Sequence, residues 1–240
     1  MRESASSLVR MTQLFRTTLP HPRPFSPREK GARRYYWRMS APRKHIVRAI
    51  RTKLRDGTPV VVRPVRADDA RYADAFFAWL SEETLYLRFM YQVKEVTPEI
   101  LAGALAQDGL RRVALVVEPT QSEGDPTPAV AIGRYAPTED LAVCEVAITV
   151  GDPWQGRGVG HALLRRLVTL ATRGGYSQMS AVALTTNSKM VGLARSFGFV
   201  IETEPGGVTQ MRRALVAPPP SVERLHPYDF AGPAADQPDD

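Results

Sequence analysis

Three glycines stand at alternate positions, Gly156, Gly158 and Gly160, around Arg157 and directly before an amphipathic stretch. Glycine tolerates backbone conformations in which consecutive N–H groups point to one side and form a concave anion site. A helix that begins there adds its own unpaired N–H groups and the positive end of its dipole. The pattern predicts a phosphate-binding loop at a helix start, and the alternative is a plain strand-to-helix turn.

Two familiar phosphate loops do not fit these residues. A Walker loop ends in Gly-Lys-Ser/Thr, whereas Gly160 is followed by His161. A dinucleotide fingerprint requires an acidic residue about 20 positions further on, and the stretch from Pro153 to Ile201 contains no Asp or Glu. Its charged side chains are all basic, which suits a ligand with several phosphates. They are Arg157, Arg165, Arg166, Arg173, Lys189 and Arg195.

A second residue that could do chemistry is Glu145, an acid inside the apolar run LAVCEVAITV. In a strand it shares one face with Val143, Ala147 and Thr149. Burial would raise the pKa of its carboxyl group toward the range in which a carboxylate works as a general base. The alternative is a structural glutamate that forms a salt bridge with an arginine such as Arg88.

The elements that must position these residues alternate along the chain. Asp68 and Asp69 predict the N-terminal cap of a first helix, Ser81 that of a second and Thr97 that of a third. Short or alternating apolar runs predict the strands, and Asn187 begins the last helix. The predicted strands are 58–66, 111–119, 129–137, 141–150, 179–185, 199–203 and 208–216. This order predicts a mixed α/β or α+β sheet layered with helices.

The net charge of +7 comes from 32 Lys and Arg against 25 Asp and Glu. Residues 1–38 hold eight Arg and one Lys against two Glu, and so carry the whole excess. The rest of the chain is neutral overall, which argues against nucleic-acid binding by the folded body. The longest apolar runs are about five residues, whereas a membrane span needs roughly 20.

Four segments follow from these patterns. Residues 1–38 predict a disordered basic leader, most simply an upstream start ahead of a true start at Met39. The alternatives are an arm that binds nucleic acid or anionic membrane, and a transit peptide. Residues 39–57 form an N-terminal extension and 58–216 the folded domain. Residues 217–240 predict a disordered tail that is rich in proline and acidic at its end.

The residues from Gln155 to Gly160, QGRGVG, match the Q/R-x-x-G-x-G/A signature of the GNAT superfamily of N-acetyltransferases. The strand CEVAITV resembles the family's central strand, and residues 187–199, NSKMVGLARSFGF, resemble its second motif. The stretches LRDGTPVVVRPVRADD and LSEETLYLRF resemble the opening of the catalytic domains of bacterial protein-lysine acetyltransferases. The resemblance covers roughly residues 55–216.

The resemblance implies the GNAT fold, a mixed, mostly antiparallel sheet with two splayed central parallel strands and helices on both faces. Acetyl-CoA would lie between those strands, here 142–150 and 179–185, with its pyrophosphate on the glycine-loop amides. Its pantetheine arm would meet the backbone of 148–150 and the side chains of Asn187, otherwise a helix cap, and Met190. The implied CoA-binding residues are Ile148, Thr149, Val150, Gln155, Gly156, Arg157, Gly158, Val159, Gly160, His161, Asn187 and Met190.

The implied reaction is acetyl transfer from acetyl-CoA to a primary amine by direct attack in a ternary complex. A lysine amine, with a pKa of about 10.4, needs a base, and Glu145 stands where related enzymes carry a glutamate. No general acid is identified, because Ala194 occupies the position at which many members have a tyrosine. Protein lysine is the leading acceptor. A small-molecule amine and a non-catalytic CoA-binding sensor are the alternatives.

The remaining expectations concern partners and location. We expect no metal, since His45, His161 and His226 show no ligand spacing, and no membrane or nucleic-acid partner for the folded domain. One cysteine, Cys144, excludes a disulfide within the chain, and a reducing cytoplasm fits this composition. Whether the protein forms a homodimer stays open, as do the acceptor and the preferred acyl chain.

Overall fold

A computed structural model describes residues 47–93, 95, 97–109, 111–120 and 129–215. The predicted leader, the C-terminal tail and the loop of the 120s lie outside the described residues.

The described residues form one eight-stranded sheet. Its strands are β1 (Ile50–Lys53), β2 (Pro59–Pro64), β3 (Val113–Pro119), β4 (Ala131–Pro137), β5 (Val143–Val150), β6 (Gln178–Leu184), β7 (Val200–Glu204) and β8 (Val208–Ala214). Their order is β1-β2-β3-β4-β5-β6-β8-β7. Every neighbouring pair is antiparallel except β5 and β6, which are parallel. The predicted mixed, mostly antiparallel sheet is confirmed.

Strand β1 was not predicted, because its four residues fall in the stretch assigned to an N-terminal extension. It pairs antiparallel with β2 and places Ile50 opposite Val62. The run IRTK shows only two alternations, too few to stand out in the sequence. The folded domain therefore begins before residue 58.

Five α-helices connect the strands within the described residues. They are α1 (Ala73–Phe77), α2 (Glu82–Phe89), α3 (Pro98–Leu105), α4 (Val159–Arg173) and α5 (Ser188–Ser196). The predicted caps Ser81 and Thr97 are confirmed, since their side-chain oxygens accept hydrogen bonds from the N–H groups of Thr84 and Ile100. None of the described helices is long and apolar enough to cross a membrane.

The predicted helix cap at Asp68 and Asp69 needs correction. The segment begins as a 3-10 helix, Ala67–Tyr72, whose N-cap position is Arg66. Asp69 lies in its first turn, where its carboxylate accepts a 2.7 Å hydrogen bond from the Arg66 N–H. The same carboxylate faces a buried arginine of β2, so its position is decided by tertiary contact as well as by capping.

The two faces of the sheet carry different helices. Helix α4 presents Leu163, Leu164 and Leu167 to the main core, where all three are fully buried. A Cβ on Gly133 of β4 would lie 3.1 Å from Leu167 Cδ1, so a glycine lets this helix approach closely. On the opposite face a smaller cluster of Val65, Ala114 and Val116 packs against Leu105 of α3. This confirms the expectation of helices on both faces.

Candidate active site

The central strands β5 and β6 separate part of the way along their length. Their parallel pairing runs from Val143 opposite Gln178 to Glu145 opposite Ser180 and then stops. Beyond that point β5 stays paired with β4 as far as Val150, and β6 stays paired with β8 as far as Leu184. The two strands therefore open into a V with a free backbone edge on each arm.

The register of β4 and β5 decides which backbone groups face the opening. The Gly151 N–H bonds to the Val130 carbonyl at 2.9 Å. Because alternate residues direct their backbone groups to the same neighbour, Thr149 also faces β4, whereas Ile148 and Val150 face the opening. Of these three predicted pantetheine contacts, the one with the backbone of Thr149 does not fit the register. That register places the Thr149 backbone in the β4 ladder.

The glycine loop has the geometry of an anion site. Gly156 and Gly158 have φ angles of 74° and 95°, which only glycine adopts without strain. Gly158 is the N-cap of α4, and no side chain caps this helix. The N–H groups of Gly156, Arg157 and Gly158 have no acceptor among the described residues. These free N–H groups are the donors that the predicted anion site requires.

Gly160 serves a different purpose from the other two glycines. It lies inside α4, and a Cβ there would come within 3.2 Å of Leu193 Cδ2 in α5. Its small size therefore lets α4 and α5 pack closely beside the loop. A Cβ on Gly158 would lie 3.3 Å from the backbone nitrogen of Arg55, so this position also has no room for a side chain.

The side chain of Arg157 is engaged with the protein itself. Its Nε donates to Asp56 Oδ2 at 2.5 Å and its Nη2 to Thr58 Oγ1 at 2.8 Å. The guanidinium also stacks over the Trp154 ring at 4.2 Å. Hydrogen bonds from Thr58 and then from Arg157 lower the pKa of Asp56 to about 2. Arg157 thus links the loop to the β1–β2 turn through its Nε and Nη2 groups.

Gln155 is the centre of a hydrogen-bond network that joins α2, the loop and α5. Its Nε2 donates to Asp152 Oδ1 at 2.8 Å, and its Oε1 accepts from Lys189 Nζ at 2.7 Å. Asp152 also accepts from the Ser81 N–H at 3.1 Å and from Thr84 Oγ1 at 2.6 Å. Burial raises the pKa of Asp152, but these hydrogen bonds outweigh it and hold the pKa below its ordinary value.

Gln155 also reaches the carbonyl of Val150 with its Nε2, at 3.2 Å. This is one of the backbone groups that face the opening between the central strands. Gln155 therefore links the glycine loop to the β5 arm of the V, a role that its place in the signature did not reveal.

The remaining predicted residues lie around the same opening. Asn187 caps α5, its Oδ1 accepting from the Met190 N–H at 3.0 Å, so the capping role is confirmed, and this hydrogen bond does not use its side-chain NH2. Met190 is partly buried against the main core. His161 Nε2 lies 3.2 Å from Ser196 Oγ, and burial lowers the pKa of its ring.

Glu145 lies on the other face of β5 from Cys144, directly where the central strands part. Burial raises the pKa of its carboxyl group above the ordinary glutamate value, while the positive charges of Arg88 and then Arg134 oppose that rise. Neither arginine has a carboxylate oxygen within 4.0 Å among the described residues. The alternative of a direct Glu145–Arg88 salt bridge is therefore wrong.

A small cavity of about 30 Å³, open to solvent on one side, lies on the Glu145 face of the sheet. It is lined by Phe76, Phe77, Arg88, Phe89, Ile100, Ala104, Ile132, Gly133, Arg134, Ala147 and Thr149. Its walls come from α1, α2 and α3 above β4 and β5. Two residues of the stretch LSEETLYLRF, Arg88 and Phe89 of α2, line this cavity. Arg134 was missed, because an arginine in a half-buried strand gives no signal by its spacing.

A protein-family comparison matches this arrangement. The family model described as Acetyltransferase (GNAT) domain matches residues 60–200. These residues are more than half of the chain and include the V-shaped opening, the glycine loop and Glu145. The chain belongs to the GNAT acetyltransferase family.

Individual relatives agree with this assignment. Acetyltransferase PA5475 of Pseudomonas aeruginosa is 34% identical over 165 residues, which are 68% of this chain and 86% of the relative. Acetyltransferase Pat of Mycolicibacterium smegmatis is 31% identical over 160 residues, 66% of this chain. The match spans 46% of Pat, about half of that longer protein.

Solved structures support the same fold. The GNAT domain of PAT from S. lividans superposes with a TM-score of 0.62 at 28% identity, covering 70% of this chain and 97% of that domain. The putative acetyltransferase yncA from Salmonella typhimurium, solved with its cofactor acetyl-CoA, gives a TM-score of 0.53. It is 20% identical and covers 65% of this chain and 94% of its own. The chain is thus an acetyltransferase, of a family that uses acetyl-CoA.

Proposed function

We propose that this acetyltransferase transfers acetyl from acetyl-CoA to a primary amine by direct attack in a ternary complex, and that a protein lysine is the leading acceptor. The observation that carries the proposal is the position of Glu145. It is the last residue of β5 that pairs with β6, and its side chain enters the half-buried face beside the cavity. A carboxylate at this position lies between acetyl-CoA bound in the V-shaped opening and an amine acceptor bound in the cavity.

The described residues fit acetyl-CoA, which supplies a thioester-activated acetyl group. The backbone of Ile148 and Val150 faces the opening, as an added strand-like ligand requires. The loop amides from Gly156 onward and the positive end of α4 suit a pyrophosphate. The side-chain NH2 of Asn187 remains available for the CoA arm, because its Oδ1 alone is used in the cap.

Glu145 acts in this proposal as the base that accepts a proton from the acceptor ammonium. Burial raises its pKa toward that of a proton acceptor at neutral pH. Arg88 and Arg134 contribute from the other side, since nearby positive charge lowers the pKa of an amine. The same positive charge keeps a fraction of Glu145 ionised. These effects bring the pKa of Glu145 and the pKa of the acceptor amine closer together.

No residue is assigned as the general acid. Ala194, at the position that resembles the family's tyrosine, is completely buried and carries no proton to donate. A CoA thiolate is a good enough leaving group to take its proton from solvent. The absence of the tyrosine also keeps the CoA-binding sensor as an alternative, which the retained Glu145 disfavours.

The choice of protein lysine rests on the similarity to Pat and to the S. lividans PAT domain. The concave cavity favours the second candidate, a small-molecule amine. We place the reaction in the cytoplasm, since a chain with the single cysteine Cys144 forms no disulfide within itself, which fits a reducing compartment.

The test compares Glu145→Gln with Glu139→Gln, an exposed glutamate in the turn before β5. Acetyl-CoA binding is measured by calorimetry. CoA release is measured with a dialysed cell proteome and, separately, with the small-molecule fraction removed from it. We expect Glu145→Gln to bind acetyl-CoA normally and to lose about 10²- to 10⁴-fold in transfer rate, while Glu139→Gln behaves as the wild type.

The outcomes separate the candidates. Release with the proteome, together with new acetyl-lysine, supports protein acetylation. Release with the small molecules alone moves the activity to a metabolite. Acetyl-CoA binding without release from either pool favours the sensor. Normal transfer by Glu145→Gln contradicts the assignment of the base.

A further inference from the structure

Two arginines of the cavity have donors for which the described residues offer no acceptor. Arg88 donates from Nε to Thr149 Oγ1 at 3.0 Å, and its two Nη groups have no acceptor among the described residues. Arg134 donates from Nη1 to the Gly103 carbonyl, and its Nη2 and Nε likewise have none within the described part of the chain. Both guanidinium groups line the cavity, so these free donors face the space a ligand would enter.

The charges of the cavity do not balance. Its lining contributes two guanidinium groups and neither Asp nor Glu. Glu145 beside it supplies one negative charge, without an ion pair to Arg88 or Arg134. Burial lowers the pKa of both arginines, that of Arg88 to about 10, so both stay cationic at neutral pH. One positive charge therefore remains uncompensated in a poorly solvated site, which favours binding of an anion.

The rest of the lining is apolar and concave. Phe76 and Phe77 meet edge to face with ring centroids 5.7 Å apart, and Phe89 lies under the guanidinium of Arg88 at 5.3 Å. Ile100 and other aliphatic residues complete the wall. Such a surface suits the hydrocarbon part of a small ligand, with the charged group at one end.

We propose that this cavity binds a carboxylate carried by the amine acceptor, through the free donors of Arg88 and Arg134, with the acceptor's apolar part against the phenylalanines. The inference rests on the proposed function, because it takes the amine to be acetylated beside Glu145. Planar guanidinium groups suit a carboxylate since they present paired donors. A free amino acid and a lysine peptide with an acidic neighbour both carry this chemistry.

Two matched sets of probes test the proposal with the full chain in the absence of acetyl-CoA. The first set is the common L-amino acids, each beside its C-terminal amide. The second is blocked Gly-Lys-Glu beside blocked Gly-Lys-Gln. Binding is measured by calorimetry and by the shift in melting temperature. We expect at least one carboxylate to bind about tenfold or more tightly than its amide partner, as a charge-assisted bidentate contact predicts.

Variants assign the effect to the two arginines. Arg88→Gln and Arg134→Gln should each remove most of the preference for the carboxylate, and Arg88→Lys should retain part of it. Arg71→Gln, at an arginine whose side chain is 61% exposed, is the control and should keep it all. Acetyl-CoA affinity and circular dichroism should match the wild type in each variant, which shows that the fold and the donor site persist.

The possible results distinguish a metabolite acceptor from a peptide acceptor, and others overturn the proposal. A preference in the amino-acid set points to a metabolite acceptor, and one in the peptide set alone points to an acidic sequence around lysine. Equal binding of carboxylate and amide, no binding by either set, or a preference that survives both glutamine variants overturns the proposal. Because binding is measured without the donor, failure of the base assignment at Glu145 shows up separately, as normal transfer by Glu145→Gln.

Discussion

Arg63 of β2 and Arg88 of α2 are both withdrawn from solvent, yet their surroundings differ completely. Arg63 donates to both carboxylate oxygens of Asp69, at 2.8 and 2.6 Å, and also to Glu118. Within the described part of the chain, the one hydrogen-bond acceptor of Arg88 is the hydroxyl of Thr149. A buried cation with its anions supplied by the chain holds the fold together. A cation in a cavity that has no carboxylate partner among the described residues is positioned to bind an anion from outside the protein.

The pKa shifts of the two arginines run in opposite directions. The hydrogen bond from Arg63 to Asp69 is the main cause that raises the pKa of Arg63 above its ordinary value. Burial is the main cause that lowers the pKa of Arg88. The first environment stabilises the charged form and the second penalises it. The difference agrees with a stabilising cluster around Arg63 and with the ligand binding that we propose around Arg88, and four predictions test this division.

The largest expected effect is on stability, at Asp69. Asp69→Ala leaves the buried guanidinium of Arg63 without the carboxylate that accepts two of its hydrogen bonds, and removing one partner of such a pair costs about 3–5 kcal/mol. Urea unfolding of the full chain measures the loss. Asp68→Ala is the matched control, because the Asp68 side chain is 56% exposed, and it should change the free energy of unfolding by less than about 0.5 kcal/mol. Similar losses at the two positions would contradict this account of the Arg63 cluster.

The second prediction replaces each arginine by methionine, which has a similar length and no charge. Arg63→Met leaves the carboxylates of Asp69 and Glu118 without their cation. We expect a loss of about 3 kcal/mol in the free energy of unfolding. Arg88→Met removes a cation that has no carboxylate partner. We expect its stability to stay within about 1 kcal/mol of the wild type or to increase. Equal destabilisation by the two changes would remove the distinction between the two arginines.

The third prediction concerns pH and the positive charge around Glu145. The base must be ionised, so kcat/KM should rise as pH increases through the pKa of Glu145, which burial raises. Arg134 opposes that rise, so Arg134→Gln should move the ascending limb to higher pH by about one unit. The profile is measured with whichever acceptor pool proves active, and Arg71→Gln is the control. A limb that stays in place, or moves to lower pH, would show that Arg134 does not act on the base.

Much of this arrangement could be predicted from local sequence. The caps Ser81, Thr97 and Asn187 depend on neighbouring residues, and the glycine spacing depends on backbone freedom in a single loop. The Arg63–Asp69–Glu118 cluster and the meeting of Arg88 with Arg134 could not be predicted, because they join residues far apart in the chain. Asp69 shows the consequence: its pattern indicated a helix cap, whereas a strand six positions earlier also determines where its carboxylate points.

Arg157 is intermediate between Arg63 and Arg88, and removing the charge of its partner gives the smallest expected effect. It has an anion, Asp56, but the pair is partly open to water, with side chains 34% and 36% exposed. Asp56→Asn keeps an acceptor for the Thr58 N–H and removes the charge. We expect an unchanged melting temperature and a two- to fivefold weaker affinity for acetyl-CoA, roughly the effect of an exposed pair.

The loss at Asp56 should shrink in high salt, because the pair is screened. Glu202→Gln is the control, since Glu202 pairs with Arg212 at 3.0 Å on the exposed strands far from the loop, and it should leave acetyl-CoA affinity unchanged. An affinity that rises in Asp56→Asn would mean that Arg157, once released from Asp56, contacts the phosphates directly. A small loss of acetyl-CoA affinity that disappears in high salt would show that Arg157 holds the loop in place. The Arg63 cluster stabilises the fold in a similar way.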